Sequence, residues 1–181
     1  MYLEFKNVTF AYDEKKVLDD ISFTVNKGEI TGLIGANGVG KTTTISNVIR
    51  KLRPQKGEIL LAGKSIYEWN NRIYPVSFIP DEPIFYEELT VMEHLNFVKA
   101  LYPQADMDIS YLIDKFELQE HLYKVPGLLS KGTLQKLMIA ISLLRDYELL
   151  LADEPLNGLD PRQISIFKNM LKELCGQNKA I

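Results

Sequence analysis

The sequence predicts an α/β fold: a mainly parallel core sheet, an N-terminal antiparallel β layer and an inserted helical subdomain. Three observations carry this. Apolar and polar residues alternate in short runs over the first 25 positions, and a glycine-rich turn lies between an apolar run and a helix-like segment at 30–51. A second apolar run, Tyr147 to Ala152, ends in two acids and follows a stretch of helix-spaced apolar residues.

Alternation in Tyr2 to Phe5, in Thr9-Phe10-Ala11-Tyr12 and in Ile21-Ser22-Phe23-Thr24-Val25 predicts short half-buried strands joined by charged turns. Ile30-Thr31-Gly32-Leu33-Ile34 reads as a buried strand, with a helix behind it from Thr43 to Lys51. Gly57 to Gly63 is a strand bracketed by glycines, and Val76-Ser77-Phe78-Ile79 is another, halted by Pro80 and Pro83. Thr90 and Glu93 form a capping box, after which Val91, Leu95, Val98 and Leu101 recur at helical spacing. Met107 to Tyr123 reads as helix on Leu112, Ile113, Phe116 and Leu118. Residues 84–135 are therefore expected to be the helical insertion, and 1–83 with 136–181 the core. A helix from Thr133 to Asp146 leads into the run at 147–152. This is a buried parallel strand carrying Asp153 and Glu154 at its C-terminal tip, where open α/β sheets place ligands. A last helix starts at Asp160 as N-cap with Pro161 at its first position and Gln163 placed to complete a capping box. Its face of Ile164, Phe167, Leu171 and Leu174 needs a sheet to cover.

Composition bounds the function. With 181 residues and 46% hydrophobic content the chain can bury a substantial core, and a net charge of -3 argues against a basic nucleic-acid-binding surface. Cys175 is the single cysteine, which excludes an intrachain disulfide and a cysteine zinc cluster and fits a packing role in a reducing, cytoplasmic setting. No stretch reaches the roughly 18 apolar residues of a membrane span, so association with a membrane is expected to run through a partner.

Gly35-Ala36-Asn37-Gly38-Val39-Gly40-Lys41-Thr42 spells G-x-x-x-x-G-K-T between the predicted strand and helix, the setting of a phosphate-binding loop in a P-loop NTPase core. Gly35, Gly38 and Gly40 permit tight turns, and the amides of Asn37 through Thr43 can point inward. The helix adds its positive end, and Lys41 a full charge for β- and γ-phosphates. The Thr42 hydroxyl and the Asp153 carboxylate suit Mg²⁺, and Glu154 is placed to polarise an attacking water. Lys41 and Glu154 are thus the candidate catalytic residues.

Here a resemblance becomes specific. Ala152-Asp153-Glu154-Pro155-Leu156-Asn157-Gly158-Leu159-Asp160 resembles the Walker B and D-loop run of ATP-binding-cassette ATPases, and Leu129-Ser130-Lys131-Gly132-Thr133-Leu134-Gln135-Lys136 resembles their signature segment. The resemblance implies ATP and Mg²⁺ as cofactors, Tyr12 stacked on adenine, and Asp81 at the position usually held by a glutamine. It also implies Ser130 and Gly132 on the γ-phosphate held by a second protomer, with Asp160 near the seam. Ser130 and the Gly132 amide at a helix start can bind an anion in their own right, although the same residues could be an ordinary N-cap. Departures are Asp81 itself, which only accepts hydrogen bonds, Lys131 for a glycine and Thr133 for a glutamine. The family's γ-phosphate histidine lies on a further strand; His94 and His121 sit in the helical insertion and do not replace it. The ending at Ile181 is therefore expected to be a truncation that leaves an exposed apolar margin and weak hydrolysis.

The resemblance implies the ATP-hydrolysing subunit of a membrane transporter of the exporter-like, ABC-2 branch, working as a homodimer or with a paralogous ATPase subunit. An integral membrane subunit would be its partner, no nucleic acid is expected, and its place would be the inner face of the membrane. A soluble cassette ATPase of translation or DNA repair and a nucleotide-gated module with little catalysis are the alternatives.

Overall fold

The computed structural model describes residues 1–181. Strands β1 (Leu3–Tyr12), β2 (Lys15–Val25), β3 (Lys56–Leu61) and β4 (Lys64–Ser65) form an antiparallel sheet in the order β2-β1-β3-β4. The two short alternating runs at the start are one strand. β1 shifts register against β2 between Phe5 and Val8, and Asn7 takes a φ of 50°, which resets the alternation without ending the strand. Gly57 accommodates this bulge. At φ +81° an added Cβ would lie 2.3 Å from the Asn7 carbonyl oxygen, so only glycine lets the two backbones approach.

Strands β5 (Val76–Ile79) and β6 (Leu149–Ala152) pair in parallel from Val76↔Leu149 to Ile79↔Ala152, and Ala180 adds one parallel bridge to Leu149. The two faces of this pair serve two apolar clusters by simple alternation. Val76 and Leu149 join the β layer through Phe5, Val8, Ile59 and Leu61, while Ile79 and Leu150 join the helices. The helices are α1 (Lys41–Val48), α2 (Val91–Leu101), α3 (Ile109–Lys115), α4 (Lys131–Leu143) and α5 (Pro161–Gly176). Leu95, Leu112, Phe116, Leu137, Ile139 and Phe167, all fully buried, bind α2 to α5 into a single cluster. The insertion therefore shares its core with α4 and α5.

Four local expectations differ. Ile30 to Ile34 is not a strand: only its foot pairs, Thr31 N–H donating to the Ile181 carbonyl at 2.8 Å and Ile181 N–H to the Glu29 carbonyl at 3.1 Å. Beyond that point nothing flanks the run, a cleft of about 360 Å³ separates it from β6, and Ile34 is 99% exposed. A strand needs a neighbour to take its backbone groups, and apolar sequence cannot supply one. Within this run Ile30, Leu33 and Ile34 are exposed, whereas Phe167, Met170 and Leu174 on α5 are covered. Over 107–123, α3 stops at Lys115 because Glu117 turns left-handed at φ 53°, and Gln119–His121 forms a separate 3-10 turn. α4 starts two residues early, at Lys131. The Gln163 side chain does not complete a capping box: it donates to Glu117 Oε2 at 2.9 Å, tying α5 to the end of α3 beside the Arg162–Glu117 ion pair.

The capping box of α2 is present, Thr90 accepting from Glu93 N–H and Glu93 from Thr90 N–H, worth about 1 kcal/mol. His94, buried in the same helix, accepts from Tyr86 N–H at 3.1 Å and contacts the Thr90 carbonyl through Nδ1 at 2.9 Å. These contacts fix its tautomer with the proton on Nδ1 and pin the loop before α2. Cys175 is structural, its thiol donating to the Gly28 carbonyl at 2.7 Å.

Candidate functional site

The glycine-rich loop is shaped by three close approaches. An added Cβ on Gly35 would meet Val39 Cγ1 at 2.8 Å, and one on Gly40 would meet Leu18 Cδ2 at 2.9 Å and the Val17 carbonyl at 3.2 Å. Gly38 and Gly40 have φ of 79° and 104°. Gly40 is the N-cap of α1 and has no side chain to cap it, so the amides of Lys41, Thr42 and Thr43 have no intrahelical acceptor and remain available to an anion. Lys41 Nζ donates to the carbonyls of Gly35 and Ala36 at 2.8 and 3.1 Å, using two of its three donors inside the loop.

The first residues past β6 close the opposite wall. Asp153 is buried, its N–H held by the Ile79 carbonyl at 2.9 Å, and its Oδ2 accepts from Thr42 Oγ1 at 2.6 Å. Glu154 follows at φ 45°, a strained conformation for a residue with a side chain, and it faces the cleft. Asn157 N–H returns to the Glu154 carbonyl at 3.1 Å, and its side-chain amide donates to Asp81 Oδ1 at 2.8 Å. The cleft between these walls measures about 650 Å³ and opens to solvent, and Tyr12, Val17, Asp81, Asp153, Glu154 and Asn157 line it together with the loop. Tyr12 is half exposed there, braced edge-on by Phe10 with ring centroids 4.9 Å apart.

Ser130, Gly132 and Asp160 line a second cleft of about 420 Å³, and no residue belongs to both. Ser130 caps α4 by accepting from Thr133 N–H at 3.2 Å, and Asp160 caps α5 through Gln163 N–H at 2.8 Å. Gly132 packs on the turn after β6 so tightly that a Cβ would stand 2.5 Å from the Gly158 carbonyl oxygen. Gln135 Nε2 holds the same turn through the Pro155 carbonyl at 3.1 Å.

Tyr12, Asn37, Gly38, Gly40, Lys41, Thr42, Thr43, Asp81, Asp153 and Glu154 thus come together, Ser130, Gly132 and Asp160 gather elsewhere, and Gly35 lines neither cleft but lets Val39 close the loop. Val17, Asn157 and Lys136 also line these clefts and were not singled out from sequence. Asn157 and Lys136 lay inside motifs already quoted; Val17 gave no signal.

A family model described as ABC transporter matches residues 18–157. The chain belongs to the ABC transporter family. The family makes the chain an ATPase of the ABC class, with a P-loop NTPase fold. It is 38% identical over 177 residues to the ABC-type transporter ATP-binding protein EcsA of Bacillus subtilis, covering 94% of this chain and 71% of that protein. It is 34% identical to the lipopolysaccharide export system ATP-binding protein LptB of Haemophilus influenzae, covering 93% and 73%. A solved ATP-binding subunit of an ABC transporter superposes with a TM-score of 0.92 at 34% identity, covering all of this chain and 78% of the other. The chain spans 71% of the length of EcsA, but 64% and 57% of two further Bacillus subtilis ABC transporter ATP-binding proteins, YthP and YhcH.

The residues present fit Mg²⁺. Thr42 and Asp153 offer a hydroxyl and a carboxylate oxygen side by side, and no three acidic or imidazole groups converge. That suits a cation that keeps waters and substrate phosphates among its ligands.

Proposed function

We propose that the chain binds ATP with Mg²⁺ between two copies of itself, or between itself and a paralogous subunit, and hydrolyses it to drive export through a separate membrane-spanning subunit. The observation that supports this is the separation of the two anion-binding corners: the phosphate loop and the Ser130–Gly132 corner lie in different clefts of one chain. A single copy cannot close both on one nucleotide; two copies arranged head to tail can.

Roles follow from position. The loop amides and Lys41 take the β- and γ-phosphates, and Tyr12 carries the adenine. Thr42 and Asp153 would hold Mg²⁺, which would supply charge neutralisation for the phosphates. Glu154 accepts a proton from water as its oxygen bonds to the γ-phosphorus; the bond to the β–γ bridging oxygen breaks, and ADP departs with phosphate. Lys41 offsets the charge that develops on the phosphoryl oxygens.

The membrane subunit would dock in a groove of about 520 Å³ at the exit of β5, where Phe78, Ile84 and Met138 mix with Arg50 and Arg145. No helix of this chain is long and apolar enough to cross a membrane. Relatives named for peptide export and lipopolysaccharide export favour the exporting direction. The test is ATP binding and hydrolysis by the full-length protein together with copurification. Lys41→Ala should lower ATP affinity by about tenfold or more, and an integral membrane protein should copurify through the groove. ATP affinity unchanged by Lys41→Ala would refute the assignment of the cradle.

A further inference from the structure

Residues 80–83 join β5 to the helical insertion, and their backbone makes no hydrogen bond to the rest of the chain. Pro80 and Pro83 have no N–H to give, and Asp81 and Glu82 lie beyond the β5–β6 ladder. One polar contact holds this junction: Asn157 Nδ2 donating to Asp81 Oδ1 at 2.8 Å. The donor side is rigid. The turn carrying Asn157 is bent by Glu154 at φ 45° and Gly158 at φ 80°, closed by Asn157 N–H on the Glu154 carbonyl, held by Gln135 on the Pro155 carbonyl, and backed by Gly132 against Gly158. A fixed amide therefore grips a carboxylate on an otherwise untethered segment.

We propose that Asn157 is a positioning residue for turnover: by occupying Asp81 Oδ1 it aims Oδ2 into the phosphoryl end of the cleft, where that oxygen accepts a hydrogen bond from the attacking water. The inference rests on the reading of this cleft as an ATP site. Asp81 can only accept, so an amide donor is the partner that fixes it without competing for its remaining lone pairs.

The experiment is a double-mutant cycle in the full-length protein, with ATP affinity read separately by titration of a fluorescent ATP analogue. Asn157→Ala should lower kcat about tenfold with KM and ATP affinity within about twofold, and should have no further effect on Asp81→Ala. The swapped pair Asp81→Asn with Asn157→Asp restores a hydrogen bond but moves the carboxylate to the wrong side, and should stay as slow as Asp81→Asn alone. Additive losses, an unchanged kcat in Asn157→Ala, or full recovery in the swapped pair would overturn the proposal while leaving the ATP site standing. Absence of ATP binding in the unmodified protein would overturn both.

Discussion

Thr42 and Asp153, 111 residues apart in sequence, meet at 2.6 Å, hydroxyl to carboxylate, where the start of α1 faces the tip of β6. The contact places two oxygens side by side on rigid elements, the pair proposed above to hold Mg²⁺. Asp153→Asn keeps the shape and removes the charge. It should raise the Mg²⁺ concentration needed for half-maximal hydrolysis by about tenfold or more, read by Mg²⁺ titration at saturating ATP. An unchanged Mg²⁺ requirement would remove Asp153 from that role.

Glu154→Gln should leave ATP affinity intact and lower turnover by about tenfold or more, because the amide cannot accept the proton of the attacking water. Parallel binding and steady-state assays separate the two effects. Equal turnover in the variant would show that another group takes the proton.

Gly132→Ala places a methyl 2.5 Å from the Gly158 carbonyl oxygen, whereas Gly127→Ala meets nothing within 4 Å. Backbone cannot step aside cheaply, so the first variant should lose about 1–3 kcal/mol of stability and the second should stay close to the unmodified protein. Thermal unfolding of the pair is the check, and indistinguishable midpoints would contradict the close packing of α4 on the turn after β6.

Glu148 lies at the start of β6 beside Lys27 and Lys179. Burial alone would raise its pKa, but hydrogen bonds from both lysines, with their charges, outweigh it and hold the carboxyl below its ordinary 4.5. A depressed folded pKa contributes stability that is present above the unfolded value and lost as pH falls through the folded one. The unmodified protein should therefore exceed Glu148→Gln in stability above about pH 5, and the gap should close on acidification below about pH 4. A gap independent of pH would show that the ion pairs contribute nothing through titration.

The sequence made the cradle legible because each of its parts has a local cause. Gly38 and Gly40 serve positive φ, Lys41 and Thr42 follow at fixed spacing, and Asp153 ends an apolar run that can only be a strand tip. The same holds for α2, whose Thr90–Glu93 box lies within four residues. What escaped depends on distant chain. Ile30 to Ile34 has the apolar content of a strand but lacks the flanking backbone that would make it one. Glu117 breaks α3 through a single left-handed residue with no glycine to announce it. Asn157 reaches Asp81 only because β5 and β6 end in register, with Ile79 opposite Ala152, a relation no spacing in the sequence encodes.

The central claim is that one nucleotide is held from both sides, by the loop of one copy and the Ser130 corner of the other. Cysteines at Asn37 and Ser130 test it in a Cys175→Ser, Glu154→Gln background of the full-length protein with its membrane partner. Asn37 is chosen because neighbouring Gly38, at φ 79°, would strain a side chain. The account predicts a disulfide-linked dimer that forms with ATP and Mg²⁺ and is lost when either is withheld. Crosslinking that never appears in ATP-loaded protein, or that ignores nucleotide, would contradict it.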